Sequence, residues 1–345
     1  MRITLKDIAA KVGISKAAIS MALRNSPRIS PKRREEVQRI AAEMGYAPDP
    51  FLSVLAKYRT TKDAPKSQGV IAWLNHWDKP QQLRAYREFD LYWRRARQVA
   101  KRMGYRLDEF LWPTDGSAKL VEQTLLKRGV LGLLIPPHLP EVDWGDFDWN
   151  KFSLMRFGLS VRCPDSNLVT SDHQRAMVMA VRKIHEYGYQ RIGLVMSEAS
   201  DRSWGGNYSG GFAWAQKFLE LNPALPPMDK NPQPSPKGIA EYKAALDKWM
   251  KKYKPDAILN YLSEVPAYLR ELGYQIPKDV AVAGTSVCDI PVDTGIDQHS
   301  HTIGQIAAEM LIKQISLNER GEPSAPCRIL VESRWQDGKT LPPRK

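Results

Sequence analysis

Cysteine is scarce in this 345-residue chain: Cys163, Cys288 and Cys327 are the three it has, far apart and odd in number. Such spacing assembles neither a disulfide framework nor a C-x-x-C zinc site. Apolar residues make up 43% of the chain. Even so, no stretch approaches the roughly 18 uninterrupted apolar residues of a membrane span, and the N-terminus lacks the apolar core of a signal peptide. A cytoplasmic location without membrane attachment is expected. Catalytic patterns are missing too. The run Gly205 to Gly211 is Gly-rich but has no Lys-Ser/Thr ending, which excludes a P-loop, and sequence proximity assembles no Ser/His/Asp or Cys/His grouping. Asp297, His299 and His301 stand close together, but a loop or pocket role outweighs metal binding for them. Neither an enzyme, a cofactor nor a metal site is expected.

Acidic residues are also in short supply. Lys and Arg number 51 against 38 Asp and Glu, a net charge of +13. Residues 1–62 hold 13 Lys and Arg against 5 Asp and Glu, so +8 of the excess sits in less than a fifth of the chain. Concentration of this kind favours nucleic acid as a partner. A chain of this length suits a small head and a body of two lobes better than one core.

The head is legible residue by residue. Leu5, Ile8, Ala9 and Val12 recur at helical spacing, Gly13 breaks the pattern, and Ser15 caps a second run in which Ala18, Ile19, Ala22 and Leu23 are apolar. Gly13 supplies the positive φ of a tight turn between two steeply crossed helices, the geometry of a helix-turn-helix unit. Ser30-Pro31 then opens a third helix, with Val37, Ile40, Ala41 and Met44 facing inward, which Gly45 ends. In order, the blocks Leu-Lys-Asp-Ile-Ala, Gly-Ile-Ser, Ile-Ser, Ser-Pro-Arg-Ile-Ser and Gly-Tyr-Ala-Pro closely resemble the DNA-binding head of the lactose-repressor (LacI/GalR) family.

That resemblance implies a helix-turn-helix domain over residues 1–48, a hinge helix over 49–59 and a linker over 60–67. It places the base-reading positions on Lys16 and Ala17, with Ser20 one turn later. Lys16 can donate to guanine, whereas Ala17 can only touch a thymine methyl. Met21 stands where most relatives carry Arg. Thr4, Ser15, Asn25, Arg28, Ser30 and Arg33 lie near helix ends, where hydroxyls, amides and cations hold phosphates. Leu55 aligns with the leucine that such proteins wedge between base pairs in the minor groove.

Beyond the linker, strand-like runs begin at Gly69 to Leu74, Tyr105 to Leu111 and Val130 to Ile135 and recur at 152–155, 192–196, 257–259, 280–283 and 329–331. Helical runs alternate with them, which predicts two doubly wound parallel sheets. Residues 68–345 resemble the periplasmic-binding-protein-like effector and dimerisation domain of the same family. The expected lobes are about 68–166 with 299–325, and about 167–297 with 326–345.

In such folds ligands bind at the carboxyl ends of strands, between the lobes. The candidates there are Asn75 and Trp77 after the first strand, Arg156, Asp172, Trp204, Asn207 and Tyr208 in a Gly-bounded loop expected to be flexible, Ser286, and Gln298 at the crossing between lobes. Aromatic faces beside polar groups are what a carbohydrate pocket needs. The family's Asp and Arg grip is altered: Tyr208, Asn260-Tyr261 and Gly284-Thr285-Ser286 stand at those positions. The resulting expectation is a homodimeric regulator, expected to be a repressor, that binds a pseudo-palindromic operator and responds to a small effector, a carbohydrate. The competing reading is a ligand-independent DNA-binding regulator whose cleft has decayed.

Overall fold

The computed structural model describes residues 3–23, 25–46, 69–77, 79–112, 117–137 and 142–344. The expected hinge helix, the linker and Leu55 lie outside the described residues.

Three helices form the head: α1 (Leu5–Val12), α2 (Lys16–Leu23) and α3 (Pro31–Glu43). Ile8, Ile19, Ala22, Val37 and Ala41 are buried between them, one small core shared by all three. Gly13 ends α1 at φ 75°, in the left-handed region, as the turn requires. Asn25 takes the same region at φ 55° and ends α2.

The body has two sheets. In chain order its elements are β1 (Gly69–Asn75), α4 (Pro80–Ala85), α5 (Arg87–Arg102), β2 (Tyr105–Leu111), α6 (Ala118–Lys127), β3 (Val130–Ile135), β4 (Ser153–Phe157), β5 (Leu168–Ser171), α7 (His173–Glu186), β6 (Ile192–Val195), α8 (Glu198–Ser203), α9 (Asn207–Phe218), α10 (Pro236–Tyr253), β7 (Ala257–Asn260), α11 (Val265–Glu271), β8 (Ala281–Gly284), β9 (Gly295–Asp297), α12 (Ser300–Leu317), β10 (Arg328–Val331) and β11 (Arg334–Gln336). The first sheet runs β10-β5-β4-β3-β1-β2 and the second β11-β9-β8-β7-β6. Their pairings are parallel except β11 on β9, which is antiparallel and closes the second sheet at one edge. Parallel strands covered on both faces read as continuous apolar runs, and β1, β3 and β7 do so here.

The lobe boundaries differ from expectation. β5 and β10, assigned from sequence to the second lobe, pair with each other and complete the first sheet, with Arg328 opposite Leu168 and Val331 opposite Ser171. The chain therefore crosses between lobes after 171, near 298 and after 331. Ser171 and Ser333 hydroxyls meet at 2.8 Å, and the His299 ring contacts the Glu332 carbonyl, which ties the crossings together. Helices α5 and α12 pack side by side on the first sheet because Gly304 has no side chain. A Cβ there would stand 2.5 Å from the Tyr92 carbonyl oxygen.

Candidate functional site

On α2 the helical period puts Ile19 and Ala22 into the head core and turns Ser15, Lys16 and Ala17 outward, with Ser20 and Met21 half-buried one turn on. Ser15 Oγ accepts from the Ala18 amide and starts the helix. This exposed face is the one the spacing predicts. Other candidates are tied up within the protein. The Thr4 hydroxyl and amide both donate to Asp7 at the start of α1. Arg33 pairs with Glu36 at 2.6 Å and reaches the Val12 carbonyl, bracing α3 against α1. Asn25 accepts from Gln38 through its side chain, and its carbonyl accepts from Arg34 and from Asn318 of the body. Ser30 stands at the start of α3, but its side chain makes no capping bond. Arg28 is exposed. Replacing Lys16 with alanine is expected to relax base preference at one operator position by about 1 kcal/mol or somewhat more, at the low end for a base contact. An unchanged set of selected sequences would show that another helix face reads the bases.

The second candidate region is the cleft at the carboxyl ends of the strands. One wall, from the second lobe, is a packed group of rings. Trp204 lies 5.3 Å from Tyr208 and 5.0 Å from Tyr261, and His173 stacks on Tyr208 at 4.8 Å. The loop expected to be flexible is instead two helices, α8 and α9, joined at Gly205-Gly206. The reason is Asp201, a buried carboxylate on α8 that accepts from the Tyr208 and Ser209 amides and the Ser209 hydroxyl, capping α9 from outside it. Gln298, buried at the crossing, donates to the Tyr208 hydroxyl at 3.2 Å and to the Thr285 carbonyl at 3.1 Å. Two buried polar atoms here, His173 Nδ1 and Thr285 Oγ1, find no hydrogen-bond partner among the described residues. Burial holds the His173 imidazole neutral, its pKa pushed down to about 4.

The facing wall comes from the first lobe. Trp77, Tyr86, Phe89 and Tyr92 form a chain of rings 5.2 to 5.8 Å apart. Between them lies Glu88, buried, with Ser286 Oγ of the second lobe donating to its Oε1 at 2.7 Å. Burial first, and then the Asp289 carboxylate, push the Glu88 pKa up to about 8.

Trp204, Tyr208, Ser286 and Gln298 therefore come together, and Trp77 lies among the rings of the facing wall. Four other candidates do structural jobs. Asn75 holds the turn after β1, donating to Pro80 O and Glu109 and accepting from the Trp77 amide. Arg156 points into the loop 161–166, where its guanidinium donates to the Val161, Arg162 and Ser166 carbonyls and to Asp165. Asp172 caps α7 through the Arg175 amide, and the Asn207 side chain donates to the Trp204 carbonyl. Asp297 is paired with Arg334. Sequence reading missed Tyr86, Glu88 and His173, whereas Tyr261 and Asp289 follow strands β7 and β8 as cleft positions should. A signal existed for Glu88, an acid set among Phe89, Tyr92, Trp93 and Ala96 on the apolar side of α5.

Two family descriptions match this arrangement. Residues 4–49 match the bacterial regulatory proteins of the lacI family, and residues 181–341 a periplasmic binding protein-like domain. The chain belongs to the lacI family of bacterial regulatory proteins. As a LacI-family protein it is a DNA-binding transcription regulator. It is 24% identical to the HTH-type transcriptional regulator KdgR of Bacillus subtilis (strain 168), over 98% of this chain and 97% of that one. Two solved structures share the fold of this LacI-family chain. A transcriptional regulator CelR–cellobiose complex aligns with a TM-score of 0.61 at 18% identity, over 98% of this chain and all of that one. The lac repressor dimer bound to operator and the anti-inducer ONPF aligns at 0.56 and 18%, over 99% of each. No helix among the described residues is long and apolar enough to cross a membrane.

Proposed function

We propose that this LacI-family regulator binds a pseudo-palindromic operator as a homodimer, in the cytoplasm, and that a neutral carbohydrate larger than a monosaccharide, held between the lobes, changes its affinity for that operator. Repression is the expected outcome of operator binding. In the head, Lys16, Ala17, Ser20 and Met21 face the bases, with Ser15 and Arg28 at the phosphates. The observation that carries the effector reading is the aromatic wall of Trp204, Tyr208 and Tyr261 with Gln298 behind it. Rings of this kind cover the apolar faces of sugars, while Ser286, Gln298 and the unpartnered His173 and Thr285 atoms offer hydrogen bonds to hydroxyls.

An anionic effector such as a sugar phosphate finds little support. Arg156, the cation that would have received it, spends its guanidinium on carbonyls of its own lobe. A decayed cleft is equally disfavoured, since a relaxed site would not keep aligned rings beside unpartnered polar atoms. A solved neighbour of the same fold is a complex with cellobiose, which supports a carbohydrate as the effector class. The test is a thermal-shift series with neutral disaccharides, cellobiose included, against matched sugar phosphates. At a hundred times its dissociation constant a ligand stabilises by about 2.7 kcal/mol, a shift of several degrees. A response to the phosphates alone would overturn the reading.

A further inference from the structure

Helix α5 starts in an unusual way. Its N-cap residue, Tyr86, supplies no side-chain hydrogen bond to the first turn. The cap comes from the other lobe. Asp289, in the loop after β8, accepts from the Arg87 amide at 2.6 Å and also from the Glu88 amide. A carboxylate at a helix N-terminus satisfies amides that would otherwise lack partners and meets the positive end of the helix dipole. One residue further on, Glu88 takes the Ser286 hydroxyl, and Ser286 Oγ in turn accepts from the Asp289 amide at 3.2 Å. Ser286, Asp289 and the first turn of α5 thus form one hydrogen-bonded unit that spans the cleft. Neither Glu88 nor Asp289 forms an ion pair with Lys, Arg or His among the described residues.

We propose that Asp289 and Glu88 form a latch between the lobes, capping α5 across the cleft and locking onto Ser286, so that the cleft rests closed without a ligand and a ligand enters only after these bonds part. Opening strips the first turn of α5 of its cap and exposes Glu88 to water. The latch is a property of this chain's own loop after β8 and of its acid on α5, whatever the chemistry of the effector.

Proton linkage follows from the burial of Glu88. In the closed form its carboxyl keeps its proton up to about pH 8, and in the open form it returns toward the ordinary value of 4.5. Closing therefore takes up a proton between those values, and the ratio of closed to open falls about tenfold per pH unit across that window, flattening above and below it. The other groups facing Glu88 do not titrate in the same sense. Tyr92, Tyr208 and Tyr261 are raised above the ordinary tyrosine value and stay neutral, as does the Cys288 thiol, pushed up to about 11. Asp297 is paired with Arg334, and burial keeps His173 neutral above about pH 4. The Asp289 carboxyl is the exception: burial raises it as well, so it titrates in the same sense as Glu88 and adds to the proton uptake on closing.

The test measures lobe separation directly in the full-length protein without ligand. Spin labels are placed at the exposed residues Gln81 and Ser263, one on each lobe, with Cys163, Cys288 and Cys327 replaced by serine and with excess unlabelled protein to suppress distances between subunits. The distance distribution should be short at pH 5.5 and shift to longer values at pH 8.5. Glu88→Gln keeps the hydrogen bond from Ser286 without a titrating proton, and should stay short at both pH values. Asp289→Ala should be long at both, with its fold checked by circular dichroism. A distribution in the parent protein that does not change between pH 5.5 and 8.5, or one in Asp289→Ala that matches the parent, would overturn the latch.

Discussion

Replacing Arg156 with alanine should lower the melting temperature of the protein by roughly ten degrees while leaving the cleft chemistry untouched. The side chain is 5% exposed, and its guanidinium donates to three carbonyls, Val161 at 2.5 Å, Arg162 at 2.9 Å and Ser166 at 2.8 Å, and to Asp165 at 3.2 Å. Removing it leaves two well-buried carbonyls without a donor and a void in the first lobe. Each unsatisfied buried acceptor costs about 1–3 kcal/mol, so the sum is about 3–5 kcal/mol. For a body of this size that is some 2–4 degrees per kcal/mol. Arg156→Lys should rescue little, since one ammonium cannot reach the spread of carbonyls that a planar guanidinium serves. The check is a calorimetric melt. A variant that melts like the parent but loses ligand binding would return Arg156 to the cleft.

Trp204 carries the opposite expectation. It is half-buried, its ring wedged between Tyr208 and Tyr261 at the edge of the second lobe's core. Trp204→Ala should lower the melt by only a few degrees, since the ring is half-buried at the core's edge, and weaken binding of the responsive saccharide by roughly thirty- to a hundredfold. That is about 2–3 kcal/mol, the scale of one aromatic face withdrawn from contact with a ligand. Tyr208→Phe, which keeps the ring and removes the hydroxyl that Gln298 holds, should cost far less. Isothermal titration of the two variants separates stacking from hydrogen bonding. A larger loss in Tyr208→Phe than in Trp204→Ala would mean that hydrogen bonds, not ring faces, hold the effector.

Much of this was legible in the sequence, for identifiable reasons. The head is read from local chemistry, where Gly13, Ser15 and Ser30-Pro31 sit at turns and helix starts and the apolar period does the rest. Strands β2 and β3 begin and end at the predicted residues because a glycine precedes each, Gly104 and Gly129, and proline follows closely, Pro113 and Pro136. What failed was long-range. Nothing local tells that β5 and β10 pair with each other in the first sheet, since their partners lie some 160 residues apart. The run 201–211 looks flexible by composition, and only the Asp201 carboxylate, reaching back across the turn, makes it helical. Arg156 resembles a pocket cation until the loop that it fastens is folded around it. Asp289 and Glu88 acquire a joint role only when two lobes meet, a juxtaposition that no spacing encodes.

The most direct measurement of the central claim is DNA binding by the full-length protein with and without saccharide. Sequences selected from random DNA supply the operator, and fluorescence anisotropy then follows its affinity as neutral disaccharides are titrated. The selected DNA should carry two inverted half-sites, as a two-fold dimer requires. At least one neutral saccharide should change operator affinity fivefold or more, and Trp204→Ala should remove this response while leaving affinity without saccharide unchanged. Selected DNA without an inverted repeat, or an operator affinity that no saccharide alters in the parent protein, would contradict that claim.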